Sequence, residues 1–318
     1  MKKRWFPLLI MALVPMVIFI SCKDDDSSSP EETSFETLTM YMAANDMDLD
    51  DILTSWNIVA ANIVDNLDDY YIMDIRTAEK YAAGHIPGAV HSSLGTVLTD
   101  AAANTDGLPI IIACDTGHVA GHAVLALRLS GYPDAMVLKF GMSSWHSDFD
   151  LWTANCANAA VGHANWTTDA VVPAEDFDYP DWSSTATDGA EILAERVAAM
   201  LEGGFKGVTG ATVLETPGDY FLNNYLAQSD VDRYGHFVDT YRIYEDLTLD
   251  ADGFMHLDPS ETVVTYCWTG HTAAVITAYL TVLGYDATCL KYGLNSLIYD
   301  ELEGNTWTGP ADYEYETG

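Results

Sequence analysis

Short apolar runs bounded by turn residues alternate with longer stretches of helical spacing along most of the chain. Residues 70–75 combine aromatic and aliphatic side chains and predict a buried strand, and residues 108–114 predict a second that ends on Cys114. Residues 120–131 space their apolar positions as a helix does and stop at Gly131, a good helix terminator. Residues 135–141 predict the next strand. The same succession returns at 262–267, 273–284 and 287–293, with the strand ending on Cys267. An amphipathic helix is expected ahead of each copy, over 48–64 and 189–204. Strands alternating with helices predict an α/β fold, each copy a parallel sheet flanked by helices. Both cysteines then stand at the carboxyl end of a strand, where open α/β sheets build their sites.

The two copies match in more than pattern. Cys114-Asp115-Thr116-Gly117-His118-Val119 is answered by Cys267-Trp268-Thr269-Gly270-His271-Thr272. Gly84-His85 pairs with Gly235-His236, the Gly131-Tyr132 turn with Gly284-Tyr285, and Leu138-Lys139-Phe140-Gly141 with Leu290-Lys291-Tyr292-Gly293. Four blocks in one order indicate a duplicated domain.

Composition narrows the picture. The 318 residues are enough for two ordinary domains, and 49% hydrophobic residues allow packed cores. A formal charge of −35, from 13 basic and 48 acidic residues, speaks against nucleic acid as a partner and repels free anions. Five cysteines, odd and few, argue against a disulfide framework.

The start reads as a targeting segment. Lys2, Lys3 and Arg4 precede an apolar run over 6–20 that is short for a spanning helix, and Ser21-Cys22 follows. This resembles a bacterial lipoprotein cleavage site, with Phe19 where such sites usually carry Leu. The resemblance implies a signal peptide over 1–22, lipid on Cys22 and attachment to the cell envelope. Lys23 after the cysteine points to the outer rather than the inner membrane. The expected organisation is an acidic tether at 23–45, a first domain at 46–150, a linker at 151–188, a second domain at 189–305 and an acidic tail at 306–318.

A strand that ends in Cys, then a Gly-containing loop, then a helix is a device for holding a sulfur. Loop amides and the helix N-terminus favour a thiolate or cradle an anion. Gly117 and Gly270 are expected to let the loop curl, Thr116 and Thr269 to add a hydroxyl, and His118 and His271 to stabilise the thiolate or carry a proton. Asp74 with Arg76 reads as a structural ion pair, and His85 and His236 as residues that fix turns. The second copy carries Asn223 and Tyr225 in place of the ion pair. Cys289 reads as core packing, and Cys156 has no counterpart.

Residues 74–91, 114–132 and 137–145 together resemble a rhodanese (thiosulfate sulfurtransferase) domain from end to end, and 234–243, 266–285 and 290–302 resemble it more loosely. The resemblance implies a thiolate that takes sulfur from a small donor such as thiosulfate or a polysulfide. It then holds the sulfur as a persulfide and passes it to a thiol or cyanide. By position Cys114 and Cys267 are the carriers, with residues 115–119 and 268–272 as the substrate-binding loops. No cofactor or metal is implied. The related phosphatases need an Arg six residues after the Cys, where Ala120 and Ala273 stand. Neither loop carries Lys or Arg, which disfavours thiosulfate, and Asp115 burdens Cys114, which favours Cys267 as the more reactive site. Two functions remain open at this point: a sulfurtransferase, or a sulfur, selenium or redox-partner carrier in an envelope complex.

Overall fold

The computed structural model describes residues 32–250 and 252–318, so the expected leader, Cys22 and the start of the tether lie outside the described residues. The described chain opens on a helix, Ser34–Ala44 (α1), begun by a capping box. Thr33 accepts from the Glu36 amide, and the Glu36 carboxylate accepts from the Thr33 amide. A single turn, Leu49–Ile52 (α2), and the short strand Asn57–Ile58 (β1) follow. Tyr71–Asp74 (β2), Ala78–Ala83 (α3), Val90–His91 (β3) and Val97–Ala101 (α4) lead to Ile110–Ala113 (β4) and His118–Leu129 (α5). Met136–Leu138 (β5) and Met142–Trp145 (α6) complete this half. Its five strands form one parallel sheet in the order β1-β5-β4-β2-β3.

Trp166–Thr167 (β6) comes next, then Gly189–Gly203 (α7), capped by Asp188, and Gly207–Val208 (β7). Gly210–Glu215 (α8), Phe221–Asn224 (β8), Gln228–Tyr234 (α9) and His236–Phe237 (β9) precede Val263–Tyr266 (β10), His271–Leu283 (α10) and Ala287–Leu290 (β11). The second sheet, β7-β11-β10-β8, is again parallel, and β6 pairs antiparallel with β9. The fold is α/β, with parallel sheets flanked by helices. Residues from Thr33 to Gly318 form one compact unit. A common core drawn from both halves joins Leu38 and Met42 of α1, Leu125 of α5, Val197 of α7 and Tyr279 of α10. Among the described residues no helix is long and apolar enough to cross a membrane.

Four expectations from sequence are corrected. The segment 34–44 is not tether but α1, because Phe35, Leu38 and Met42 bury one face against the common core. The helix expected over 48–64 stops at Ile52, because the Val137 and Lys139 amides donate to the Trp56 and Ile58 carbonyls and draw 57–58 into the sheet edge. The linker 151–188 and the tail 306–318 are packed rather than free. Trp152 and Trp307 are buried, and His85 exchanges backbone hydrogen bonds of 2.9 Å with Glu316.

The fourth correction is one of register. Asp74 lies opposite Ala113 and Asn224 opposite Tyr266, each one residue before its cysteine. Asn224, not Asn223, therefore stands where Asp74 stands, and Leu226, not Tyr225, where Arg76 stands. Asp74 and Arg76 form a buried ion pair at 2.6 Å, and Arg76 also donates to the Gly84 carbonyl at 2.5 Å. In the second half the cation is gone, and the Asn224 side chain is buried beside the Tyr266 hydroxyl. Arg76→Leu alone is expected to cost about 3–5 kcal/mol, because it strands a buried carboxylate. Asp74→Asn combined with Arg76→Leu, which copies the second half, should recover most of that loss. Urea unfolding of the two single variants and the double variant measures the coupling, and additive losses would contradict it.

Candidate functional site

Each cysteine sits where its strand gives way to its central helix. Gly117 and Gly270, the residues before α5 and α10, take the left-handed backbone conformation with φ of +89° and +80°. A Cβ at Gly117 would stand 2.5 Å from His271 Nε2, and one at Gly270 would stand 2.9 Å from His118 Nε2. Each glycine therefore makes room for the histidine of the other half as well as turning the loop.

The two loops meet back to back. The rings of His118 and His271 stack with centroids 5.2 Å apart. Within each loop the threonine hydroxyl lies against Nδ1, at 2.8 Å for Thr116 with His118 and 2.7 Å for Thr269 with His271. Across the interface, His118 Nε2 lies 3.0 Å from the Thr269 carbonyl and 3.1 Å from the Tyr292 amide. His271 Nε2 lies 3.0 Å from the Thr116 carbonyl and 3.1 Å from the Phe140 amide. Either neutral tautomer is satisfied. With the proton on Nε2 the carbonyl accepts it and Nδ1 takes the threonine hydroxyl, and with the proton on Nδ1 the amide donates to Nε2. A charged ring would set an N–H against that amide. Each threonine hydroxyl thus holds the histidine of its own loop, and each histidine reaches the backbone of the opposite loop. Trp152 lies alongside, stacked on both histidines, and its Nε1 donates to the Thr116 carbonyl.

The sulfurs differ although both residues are 3% exposed. Cys114 Sγ accepts from the Gly117 amide at 3.1 Å. Burial nevertheless pushes its thiol up to about 11, against the amides of Ala120, Thr116 and Gly117, and Asp115 adds to the rise. The activation expected from the loop amides is thus outweighed at Cys114. The depression beside this loop, about 270 Å³, is bounded by Arg76, Lys80, Asp115, Phe149 and Leu151 and does not reach the sulfur. Lys80 and Asp115 pair across it at 2.7 Å.

Cys267, by contrast, lines an open cleft of about 530 Å³. Trp268 and Thr272 of its own loop share the lining with Tyr225, Leu226 and Asp230 at the start of α9 and with Tyr244. Asp50, Leu53 and Thr54, from the turn around α2, close the far side, so the first half's leading segment helps to build the second half's site. Lys139, at the end of β5, also serves across the interface. Burial lowers the pKa of its ammonium, and the nearby Cys267 sulfur counters that shift. Val119, which occupies the position of Thr272 in the first half, packs against the common core instead.

The remaining predicted residues stay outside this cleft. His85 Nδ1 lies 2.9 Å from the Tyr81 carbonyl, and its ring stacks on Tyr81. His236 lies between the Phe237 and Asp169 carbonyls. Cys289 is buried, with its thiol donating to the Gly270 carbonyl at 3.3 Å, and Cys156 is half-buried. Sequence reasoning missed Asp50, Asp230 and Tyr244, which no repeat or motif marks, and gave Tyr225 no place in a site. Lys139 had a signal, since Leu-Lys-aromatic-Gly occurs in both copies.

Comparison with known proteins bears on the first half. The Rhodanese-like domain model matches residues 57–148. The thiosulfate sulfurtransferase GlpE of Pseudomonas fluorescens (strain SBW25) is 32% identical over 78 residues, 24% of this chain and 72% of that protein. The chain belongs to the rhodanese family. It is also 32% identical over 82 residues to the protein YrkF of Bacillus subtilis (strain 168), spanning 26% of this chain but only 44% of that relative's length. Among solved structures, a thiosulfate sulfurtransferase from Pseudomonas aeruginosa aligns with 88% of this chain and 49% of its own, at 16% identity and a TM-score of 0.29.

The buried histidines of this rhodanese-family chain tie its stability to pH. Burial lowers the pKa of His118 and of His122 to about 4, and that of His271 well below its ordinary value. A folded-state pKa below the unfolded value of about 6.5 means that unfolding takes up protons. This stability is therefore complete above about pH 6.5 and is lost as the pH falls toward 4. Urea unfolding at pH 7 and pH 4.5 should show the loss. In His122→Gln the drop between those pH values should be smaller by about 2 kcal/mol. An equal drop in both proteins would mean that His122 is already charged in the folded state.

Proposed function

We propose that the protein is a sulfurtransferase built of two tandem rhodanese-like domains, with Cys267 as its main sulfur carrier. The observation that supports this most is the placement of Cys267 at once behind an open cleft, at the carboxyl end of β10 and at the N-terminus of the thirteen-residue helix α10. The Cys267 thiolate attacks the outer sulfur of a small donor, thiosulfate or a polysulfide. The donor's S–S bond breaks, and its remainder leaves with the electron pair. The new persulfide is held at the helix start, where backbone N–H groups favour negative charge. A thiol or cyanide acceptor then attacks the terminal sulfur and releases the cysteine thiolate, so no outside oxidant is needed. Cys114, with its raised pKa and no opening onto the neighbouring depression, is a secondary carrier at most.

Intact-mass measurement tests this on the reduced chain, exposed separately to thiosulfate and to a polysulfide. The wild type should gain one sulfur that cyanide removes. Cys114→Ser should keep the gain, and Cys267→Ser should lose most of it. No cysteine-dependent gain with either donor would remove the donor chemistry. A gain that neither cyanide nor any thiol discharges would favour a sulfur or redox-partner carrier over an enzyme.

The segment around Cys22 supports a further part of the reading, that the protein is lipid-anchored at the cell envelope, outer membrane before inner, facing the periplasm or exterior. Metabolic labelling with a radioactive fatty acid should mark the wild type and not Cys22→Ala. Equal labelling of both would rule out this anchor.

A further inference from the structure

The mouths of the two halves differ in charge: the first sets Arg76 and Lys80 against Asp115 and Asp148 and is balanced, and the second is acidic. Thr77 precedes α3 and Ala227 precedes α9, each as the N-terminal cap residue, so the two helices align without ambiguity. On that alignment Arg76 is matched by Leu226 and Lys80 by Asp230. The loop residue Asp115 is matched by Trp268. The depression in the first half is thus flanked by a guanidinium and an ammonium, each held by a carboxylate, Asp74 at 2.6 Å and Asp115 at 2.7 Å. The cleft over Cys267 contains the carboxylates of Asp50 and Asp230 and no Lys, Arg or His among its lining residues.

The walls of that cleft are suited to the same sign of charge. Tyr225 and Tyr244 meet edge to face at 4.6 Å. Tyr244 already carries a cation over its ring, the Arg242 guanidinium at 5.3 Å, which is itself neutralised by Glu245 at 2.6 Å. Burial pushes the Tyr225 phenol up, and Tyr244, Asp50 and Cys267 add to the rise, as expected in a field that disfavours a further anion. A positively charged group would be drawn to Asp50 and Asp230 and find aromatic faces beside it, whereas a carboxylate or sulfonate would meet those two carboxylates in the lining, the Lys139 ammonium lying near the sulfur but outside it.

We propose that the Cys267 cleft selects small organic thiols and persulfides that carry a positive charge, of the aminothiol class, and discriminates against carboxylated or sulfonated ones. This rests on the reading of Cys267 as the sulfur carrier, and it names the partner class for that site. Attack by such a thiolate on the Cys267 persulfide breaks the S–S bond, regenerates the cysteine thiolate and leaves the sulfane sulfur on the aminothiol.

The test uses two thiosulfonate reagents of similar size on the full chain, 2-aminoethyl and 2-sulfonatoethyl methanethiosulfonate. Each converts a thiolate to a mixed disulfide with loss of methanesulfinate. Peptide mass mapping follows Cys267 alone, and each rate is normalised to that reagent's rate with free cysteine. At low salt the cationic reagent should be favoured about tenfold. The preference should fall close to one with Asp50→Asn plus Asp230→Asn, and in 1 M salt, where charges are screened within a few ångströms. Asp230→Lys, which leaves Asp50 as its counter-charge, should likewise bring the preference close to one, and Asp50→Asn plus Asp230→Lys should reverse it. A parallel arm follows discharge of the persulfidated chain by cysteamine and by 3-mercaptopropionate, with the same order expected. A wild-type preference near one, or one untouched by these substitutions in variants that melt like the wild type, would overturn the proposal. A reagent preference that holds while no sulfur passes to either thiol would remove the sulfur-transfer reading and leave the charge selection of the cleft standing.

Discussion

Helices α5 and α10 pack against each other closely enough that a Cβ on Gly121 would touch Ala274, and this contact decides where both cysteine loops go. Because each helix begins at its loop, bringing the helices together brings the loops back to back. The histidine at each helix start then reaches the backbone of the opposite loop. Both rings are buried and neutral, so the join costs no unpaired charge. Trp152, drawn from between the halves, packs on both rings and makes the connecting segment part of the core.

That joint leaves little freedom to either loop, so the difference between the two sulfurs arises at the mouths. In the first half, Asp74 with Arg76 and Lys80 with Asp115 tie charges together around a depression that stops short of Cys114. In the second half, Leu226, Asp230 and Trp268 stand at the corresponding positions. With no ion pair across it, the space extends down to Cys267. One backbone plan thus yields two equally buried cysteines, of which Cys267 lines a cleft, through a few side chains at the start of a short helix. Asn224, buried where Asp74 stands in the first half, has no cation beside it.

Much of this was legible in the residues. The strands ending on Cys114 and Cys267, the helices after them, the duplicated blocks and the glycines at the loop turns are all local features. Apolar period, turn chemistry and repeat order report them directly. The Asp74–Arg76 pair was also legible, since two oppositely charged residues two apart at a strand end can meet without help from distant chain. The equivalent position in the second half was misread by one residue, because without the strand pairing nothing distinguishes Asn223 from Asn224.

What the sequence determined by itself was the α/β class, the repeated sequence blocks and the two cysteine-bearing loops, each set by interactions within a few residues of itself. Only the tertiary structure decided that His118 and His271 reach across to the opposite loop. It alone brought Asp50, Tyr225, Asp230, Tyr244 and Lys139 around Cys267. Burial, the field at a thiol and the sign of charge in a cleft are sums over neighbours far apart along the chain. They come into being only when α5 and α10 pack and the segments around them close.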